Sequence, residues 1–356
     1  MNKVFISPFL IIVFIFTSIS LSACKSQGSD FSNIEVAPYF DEDLPSGVLE
    51  FTNLVLDSEN CNRIIPLGAI NPPGHTFPTD HIYLLQRVTD LPVYAPASGK
   101  VIYIHEPSAY GDRAIRIGVT NTMSYYLGHI ILSPDMKVGD TVTAGQQIAT
   151  TGNTSCVDFG LLNKNIVNGF INKNLPLTTI YGDKPLSYYI EPLRTQLYSL
   201  VMPPEAIDNP AFIYDEGVTD GLFTQDKIGS LSGNWFEEGS FADGKYFQWE
   251  QTLAFTNDVY YPNQIRIAIG KDIPFQNLAV ITQDSPINPG DVTIESGIIT
   301  YYLYNANNTY AGVPTGSRIG LMLVQMLSDT RIRVEIFWDT VSENKEFTDS
   351  SWFYER

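Results

Sequence analysis

Short segments in which apolar and polar residues alternate follow one another along most of the chain. In "AIRIGV" and "RIRVEIFW" every second residue is apolar, as in a strand with one buried face. Glycine-containing turns separate such segments, for example in "KVGDTVTAGQQIATTG", and long helical patterns are scarce. The pattern predicts an all-β protein, and its 356 residues suffice for two domains with separate cores.

The strand-like pattern is interrupted by a region rich in asparagine and proline. We therefore predict a first β domain at residues 61–165 and a second at 229–356, joined by a linker at 166–228. The linker contains "PLRTQLYSLVM", which predicts one short helix. Residues 24–60 are expected to form a tether and lead-in. The number of strand-like segments in the second domain suits an antiparallel barrel or sandwich.

The N-terminus has the features of a secretory leader. Residues 1–23 combine a positive start with an apolar run that ends in Leu21-Ser22-Ala23-Cys24. Small residues before a cysteine resemble a bacterial lipobox, which implies cleavage before Cys24 and a lipid on its thiol. An uncleaved membrane anchor is the alternative. Because Lys25 follows the cysteine, resemblance to Gram-negative sorting implies a lipid-anchored protein of the outer membrane, in the cell envelope.

Charge and cysteine content narrow the class of protein further. The net charge of −18 repels the phosphate backbone of nucleic acids, so we expect no nucleic-acid partner. With Cys24 lipidated, Cys61 and Cys156 are the two cysteines that remain. Outside the cytoplasm such a pair is commonly a disulfide, so Cys61 and Cys156 are a candidate disulfide.

All the histidines of the chain fall between positions 75 and 129. The stretch "GHTFPTDHIYLL" alone contains His75, Asp80 and His81, and His129 follows in "YYLGHI". This clustering predicts a polar site in the first domain. Three interpretations stay open: a catalytic zinc centre, a non-catalytic metal or ligand site, and an ordinary hydrogen-bonded cluster.

Several segments of the first domain resemble the lysostaphin-type zinc metallopeptidases, which cut peptidoglycan cross-links. "PVYAPASGKVIYI" is similar to the family's strand-turn-strand, and "KVGDTVTAGQQIATTGNT" to its glycine-rich stretch. "YYLGHI" is similar to the segment that carries a catalytic histidine, here His129. The resemblance implies the β-sandwich called the duplicated hybrid motif for residues 61–165.

The first metal motif of that family, H-x-x-x-D, is altered in this chain. His75 and Asp80 are one residue too far apart for it. If the apolar residues that follow are aligned instead, His81 takes the place of the aspartate and Phe77 that of the histidine. Phenylalanine cannot bind a metal, so a further ligand has to come from His75 or elsewhere.

The second metal motif, H-x-H, is replaced by Cys156-Val157-Asp158. The resemblance therefore implies His75, Asp80, His81 and Asp158 as the candidate metal ligands. A disulfide to Cys61 would prevent Cys156 from acting as a base or a ligand. His129 is catalytic only if the site is active.

Relatives that have lost their zinc ligands often act as binding or activator modules. We accordingly expect a catalytically impaired domain that binds or scaffolds a cell-wall glycan, a peptide or an envelope protein, without a cofactor. The rival is an active zinc metallohydrolase of the peptidoglycan endopeptidase type with an altered ligand set. Fold alone does not decide between them.

The second domain opens with Gly233-Asn234-Trp235, which is similar to the G-x-W strand of lipocalin-like barrels. Trp235 is predicted to lie in the core. A barrel of this size can hold one apolar ligand, so a lipid carrier is a third hypothesis for the protein.

Overall fold

We describe the protein from a computed structural model, which covers residues 38–70, 78–203, 220–222, 224–240, 251–270, 278–282, 287–305, 316–338 and 344–356. The predicted leader, Cys24, His75 and Phe77 lie outside these residues, so the lipid anchor stays a prediction. Within the described part of the chain, no helix combines the length and hydrophobicity that a membrane span requires.

The first domain is built from ten antiparallel strands. They are β1 (Cys61–Ile65), β2 (Ile82–Gln86), β3 (Pro92–Tyr94), β4 (Gly99–Ile104), β5 (Arg113–Thr120), β6 (Met123–Leu132), β7 (Thr141–Val142), β8 (Gln147–Thr151), β9 (Cys156–Asn163) and β10 (Gly182–Asp183). The main path runs β1-β2-β9-β6-β5-β4-β7, while β10 pairs with β9, and β8 pairs with β3 and β6. The all-β prediction is confirmed.

Strand β6 pairs with β5 along one edge and changes partner at His129 along the other. Its first part pairs with β9 up to the Gly128–Asp158 pair, and its last part pairs with β8 from Ile130–Thr151 onward. His129 lies between these pairs and has a φ of 59°. A non-glycine residue in this left-handed region is uncommon, and such bends serve to re-aim a side chain.

The core of the first domain extends beyond the predicted boundaries. Phe51, from the lead-in, is fully buried, and its ring centroid lies 5.2 Å from that of Phe159 on β9. Phe170 and Leu186, from the predicted linker, belong to the same core. Residues 38–60 and 166–203 therefore cover one face of the sheet.

Two short helices lie in this covering segment, α1 (Leu177–Ile180) and α2 (Leu193–Tyr198). Helix α2 lies within "PLRTQLYSLVM", where the sequence predicts a helix. Both contribute an apolar residue to the core, Ile180 and Leu197 respectively. Helix α1 also brings a polar residue, Thr179, to the functional site.

The second domain is a closed antiparallel barrel. Its strands are β11 (Gly233–Glu237), β12 (Thr252–Asn257), β13 (Ile265–Ile269), β14 (Leu278–Thr282), β15 (Ile298–Asn305), β16 (Arg318–Ser328), β17 (Arg331–Trp338) and β18 (Trp352–Glu355). They pair in chain order, and β11 closes the barrel against β18. Of the two predicted alternatives, the structure therefore has the barrel.

Trp235 lies in the core of this barrel, as predicted. Its side chain is fully buried, and its indole N–H donates to the carbonyl of Leu231 at 2.8 Å. The guanidinium of Arg356 lies 3.9 Å from the centre of the ring. Trp235 is thus a packing residue of the barrel core.

The two domains share apolar contacts. Phe236 on β11 belongs to the core of the first domain, and Val259 packs in a cluster with Ile65 and Tyr83. Ile70 contacts Ala254 on β12 and a neighbouring alanine of β13. The segment after β1 therefore lies against the barrel.

The predicted disulfide between Cys61 and Cys156 is wrong. The structure has both as buried thiols that are not joined. Cys61 pairs with Gln86 across β1–β2, and Cys156 pairs with Leu85 across β2–β9. Because β2 separates them, their Cα atoms are two strand spacings apart, about 10 Å. A disulfide requires less than about 7 Å.

Candidate functional site

The site begins at the entry to β2, where Asp80 and His81 are adjacent. His81 Nδ1 lies 2.9 Å from Asp80 Oδ1, and the carboxylate also accepts hydrogen bonds from the Thr179 hydroxyl at 2.9 Å and the Tyr126 hydroxyl at 3.2 Å. Three different parts of the chain thus hold this carboxylate. The contact with Asp80 in turn fixes the imidazole of His81. The other ring nitrogen, Nε2, is left for a further contact.

Asp158 lies at the centre of the site, on β9 between β2 and β6. It is directly opposite Tyr83 on one side and Gly128 on the other. Its Oδ2 is 3.5 Å from His81 Nε2 and 3.4 Å from His129 Nε2. The approach is close, because a Cβ at position 128 would lie 3.2 Å from the Cβ of Asp158 and would displace that side chain slightly.

His129 is held from its other nitrogen by Asp112, the residue before β5. Nδ1 lies 2.7 Å from Asp112 Oδ2, and the other carboxylate oxygen accepts a hydrogen bond from Ser108. Asp112 is buried, whereas the side chain of His129 is 26% exposed. His129 is therefore the imidazole of the site that a ligand can reach more easily.

These contacts form one continuous series, which we call the acid–imidazole chain. It runs through Asp80, His81, Asp158, His129 and Asp112, with a carboxylate between the two imidazoles and one at each end. Each imidazole thus has a carboxylate at each nitrogen. A carboxylate on Nδ1 fixes the ring orientation and raises the basicity of Nε2.

The protonation of the buried Asp80–His81 pair follows from its neighbours. Burial lowers the pKa of His81, but the charge of Asp158 and the contacts with Asp80 outweigh it, so the net shift is upward. Burial raises the pKa of Asp80, but the hydrogen bonds from His81 and Thr179 outweigh it, so the net shift is downward. Both shifts favour the charged forms of the pair, a carboxylate on Asp80 and an imidazolium on His81.

Zinc is the metal that the family resemblance implies for this site. In the described ranges no group of three or more His, Cys, Asp and Glu side chains is placed to hold a metal ion. Both Nε2 atoms instead contact the same oxygen of Asp158. The described residues therefore do not fit a zinc centre by themselves.

The structure brings together four of the residues that the sequence singles out. The acid–imidazole chain contains all four: Asp80, His81, Asp158 and His129. Asp80 contacts His81 on the side away from Asp158. His75 lies outside the described residues. His105 lies apart, with its ring 4.6 Å from that of Tyr103.

Sequence reasoning missed three residues of the site: Asp112, Tyr126 and Thr179. Asp112 follows a glycine in a loop, where aspartate is usually a turn residue. The feature that could have identified Asp112 is its position just before β5, because β5 pairs with β6, the strand that carries His129. Thr179 has no local signal, because it reaches Asp80 only through the tertiary fold.

Residues 84–167 match Peptidase family M23. For this segment the resemblance to lysostaphin-type zinc metallopeptidases is therefore confirmed. Among curated proteins no sequence matches the chain.

Three solved structures illustrate the similarity. A zinc-containing peptidase from Vibrio cholerae is 22% identical over 33% of this chain and 38% of that chain, with a TM-score of 0.27. Csd3 from Helicobacter pylori is 17% identical over 33% and 32%, with a TM-score of 0.25. The catalytic domain of lysostaphin from Staphylococcus simulans is 18% identical over 35% and 87%, with a TM-score of 0.27. The chain spans about a third of the length of the first two.

Proposed function

We propose that the first domain is a catalytically impaired member of the M23 type, which binds or scaffolds a cell-wall component and does not cleave it. The observation that carries the proposal is the acid–imidazole chain. Asp158 takes the place of a metal-binding histidine of the family, and its carboxylate lies between the imidazoles of His81 and His129. In this arrangement the carboxylate of Asp158 faces both imidazoles.

The composition of the site favours a particular kind of ligand. The acid–imidazole chain has three carboxylates and two imidazoles, so its net charge is negative even when His81 is protonated. Asp158 and His129 are both partly exposed and can contact a ligand. A ligand with amide or amine donors, such as a cell-wall peptide, suits this charge.

The location of this activity rests on the N-terminal sequence. The lipobox-like Leu21-Ser22-Ala23-Cys24 supports a lipid anchor in the envelope, and Lys25 supports the outer membrane. A protein anchored there lies beside peptidoglycan. The membrane and the cell wall, or a protein bound to it, are thus the proposed partners.

The experiment is co-sedimentation of the purified full chain with peptidoglycan sacculi, followed by analysis of the supernatant for released fragments. We expect saturable binding, no released fragments, and weaker binding by Asp158→Ala. Asp135→Ala is the matched control, because Asp135 is exposed and lies outside the site. Absence of binding by the wild-type chain, or equal binding by the Asp158 variant, contradicts the proposal.

The alternative, an active zinc hydrolase, has one observation in its favour. His81 Nε2 is buried and has no hydrogen-bond partner in the described part of the chain, and its Nδ1 contacts a carboxylate, as in many metal-bound histidines. A metal would need His75 or another residue as a further ligand. Fragments released only when zinc is present would favour this alternative.

A further inference from the structure

A cavity of about 80 Å³ lies between the two domains, and no residue of the acid–imidazole chain lines it. The segment after β1 forms one wall, and the β12–β13 hairpin forms the other. Arg63 and Arg266 line it from opposite domains. This cavity plays no part in the function proposed above.

Arg63 carries a buried charge that the described residues leave unmatched. Along β1, Ile64 points into the core of the first domain, so Arg63 points to the opposite face, toward the barrel. Arg63 is 6% exposed, and its Nε and Nη1 atoms have no hydrogen-bond partner in the described part of the chain. A guanidinium stays protonated in proteins, so burying it without a partner is costly.

Arg266, on the other wall, is already neutralised. Its Nη2 lies 2.5 Å from Asp258 Oδ2, although its Nε also has no partner among the described residues. The second oxygen of Asp258 accepts the backbone N–H groups of Tyr260 and Tyr261. The cavity lining therefore has two guanidinium groups and one carboxylate. Because Arg266 and Asp258 balance each other, the lining keeps the single positive charge of Arg63.

The size and the walls of the cavity restrict what can balance this charge. Because one water needs about 10–15 Å³ of such volume, the cavity admits several waters or one small anion. Ile65, Ile70 and Val259 contribute apolar surface. We propose that this interdomain cavity binds a small monocarboxylate, whose oxygens accept from Arg63 and whose short apolar part contacts the isoleucines.

The test uses acetate as the probe and the full chain in a non-ionic detergent. Saturation-transfer NMR measures acetate binding against sodium chloride at constant ionic strength. We expect saturable binding that Arg63→Met weakens at least about tenfold, because hydrogen bonds to a charged group are among the stronger ones. Arg333→Met is the matched control: it removes the same charge from the barrel, far along the chain from the cavity.

A second variant separates loss of the site from loss of the fold. Ala69→Leu fills the cavity, keeps every charge, and is expected to abolish acetate binding. Three results would overturn the proposal: no saturable binding to the wild-type chain, equal binding by Arg63→Met, or an equal loss in Arg333→Met. If the cavity holds only water, acetate shows no saturable binding to the wild-type chain.

Discussion

His129 Nδ1 lies 2.7 Å from Oδ2 of Asp112, and this contact ties the bend of β6 to the loop that precedes β5. The bend holds His129 at a φ of 59°, a conformation that costs a non-glycine residue of the order of 1–2 kcal/mol. A strained residue persists only where its surroundings fix it, and such residues cluster at functional sites. The contact with Asp112 is one such restraint.

The first prediction concerns His129→Ala. The change leaves the buried Asp112 carboxylate without its imidazole partner, and we expect the free energy of unfolding to fall by about 1–3 kcal/mol. Urea unfolding measures the loss. His129→Asn is the matched control, because asparagine tolerates a positive φ and can still donate a hydrogen bond. It should lose clearly less stability. An alanine variant as stable as wild type would show that the contact contributes nothing.

The second prediction concerns pH. Because the pKa of His81 is raised above 6.5, its stabilising effect is complete below about pH 6.5 and lost as pH rises through the folded-state value. Because the pKa of Asp80 is lowered below 3.8, its effect is present above about pH 3.8 and lost as pH falls further. The stability advantage over His81→Asn should therefore be largest between these limits and shrink at alkaline pH. Urea unfolding across the pH range measures it, and a constant difference is the contrary result.

The third prediction concerns the two buried thiols. Burial raises the pKa of Cys61 to about 12, so at pH 8 almost no reactive thiolate is present. We expect both cysteines to react with a thiol reagent only after the chain is unfolded, and without prior reduction. Mass spectrometry of the labelled peptides identifies each site. A linked Cys61–Cys156 peptide under non-reducing conditions would contradict the structure.

The fourth prediction concerns Arg356, whose guanidinium lies over the ring of Trp235. Its Nη1 donates to the carbonyl of Ser232 at 2.8 Å, and its Nη2 to that of Ser230 at 2.6 Å. Arg356→Met should lower the free energy of unfolding by about 2–3 kcal/mol, since buried carbonyls lose a charged donor. The control is Arg331→Met, an exposed ion pair with Glu238 worth about 0–1 kcal/mol. Equal losses in the two variants would count against this role.

The strands could be predicted because their signal is local. Alternation along "MSYYLGHIIL" corresponds to the full length of β6, Met123–Leu132. The site could be located in part, because His81, Asp158 and His129 stand at motif positions of the family. Each of these predictions depends on residues close together in the sequence.

The remaining features depend on contacts between distant segments. The candidate disulfide rests only on the chemistry of the compartment in which the protein is expected. The strand order, which the sequence does not give, shows that β2 separates the two cysteines. Asp112 and Thr179 enter the site through strand pairing and a short helix that no local pattern links to Asp80. The linker prediction failed to include Phe170 and Leu186 in the first core, because loops with isolated apolar residues carry no periodic signal.

We propose that paired carboxylates and imidazoles stand where the peptidases have their zinc centre. The metal content of the full chain, purified without a histidine tag and measured by mass spectrometry, tests this proposal. We predict no stoichiometric zinc, even after zinc is added and the excess dialysed away. Near-stoichiometric zinc in the wild-type chain, lost in both His81→Ala and Asp158→Ala, would contradict it.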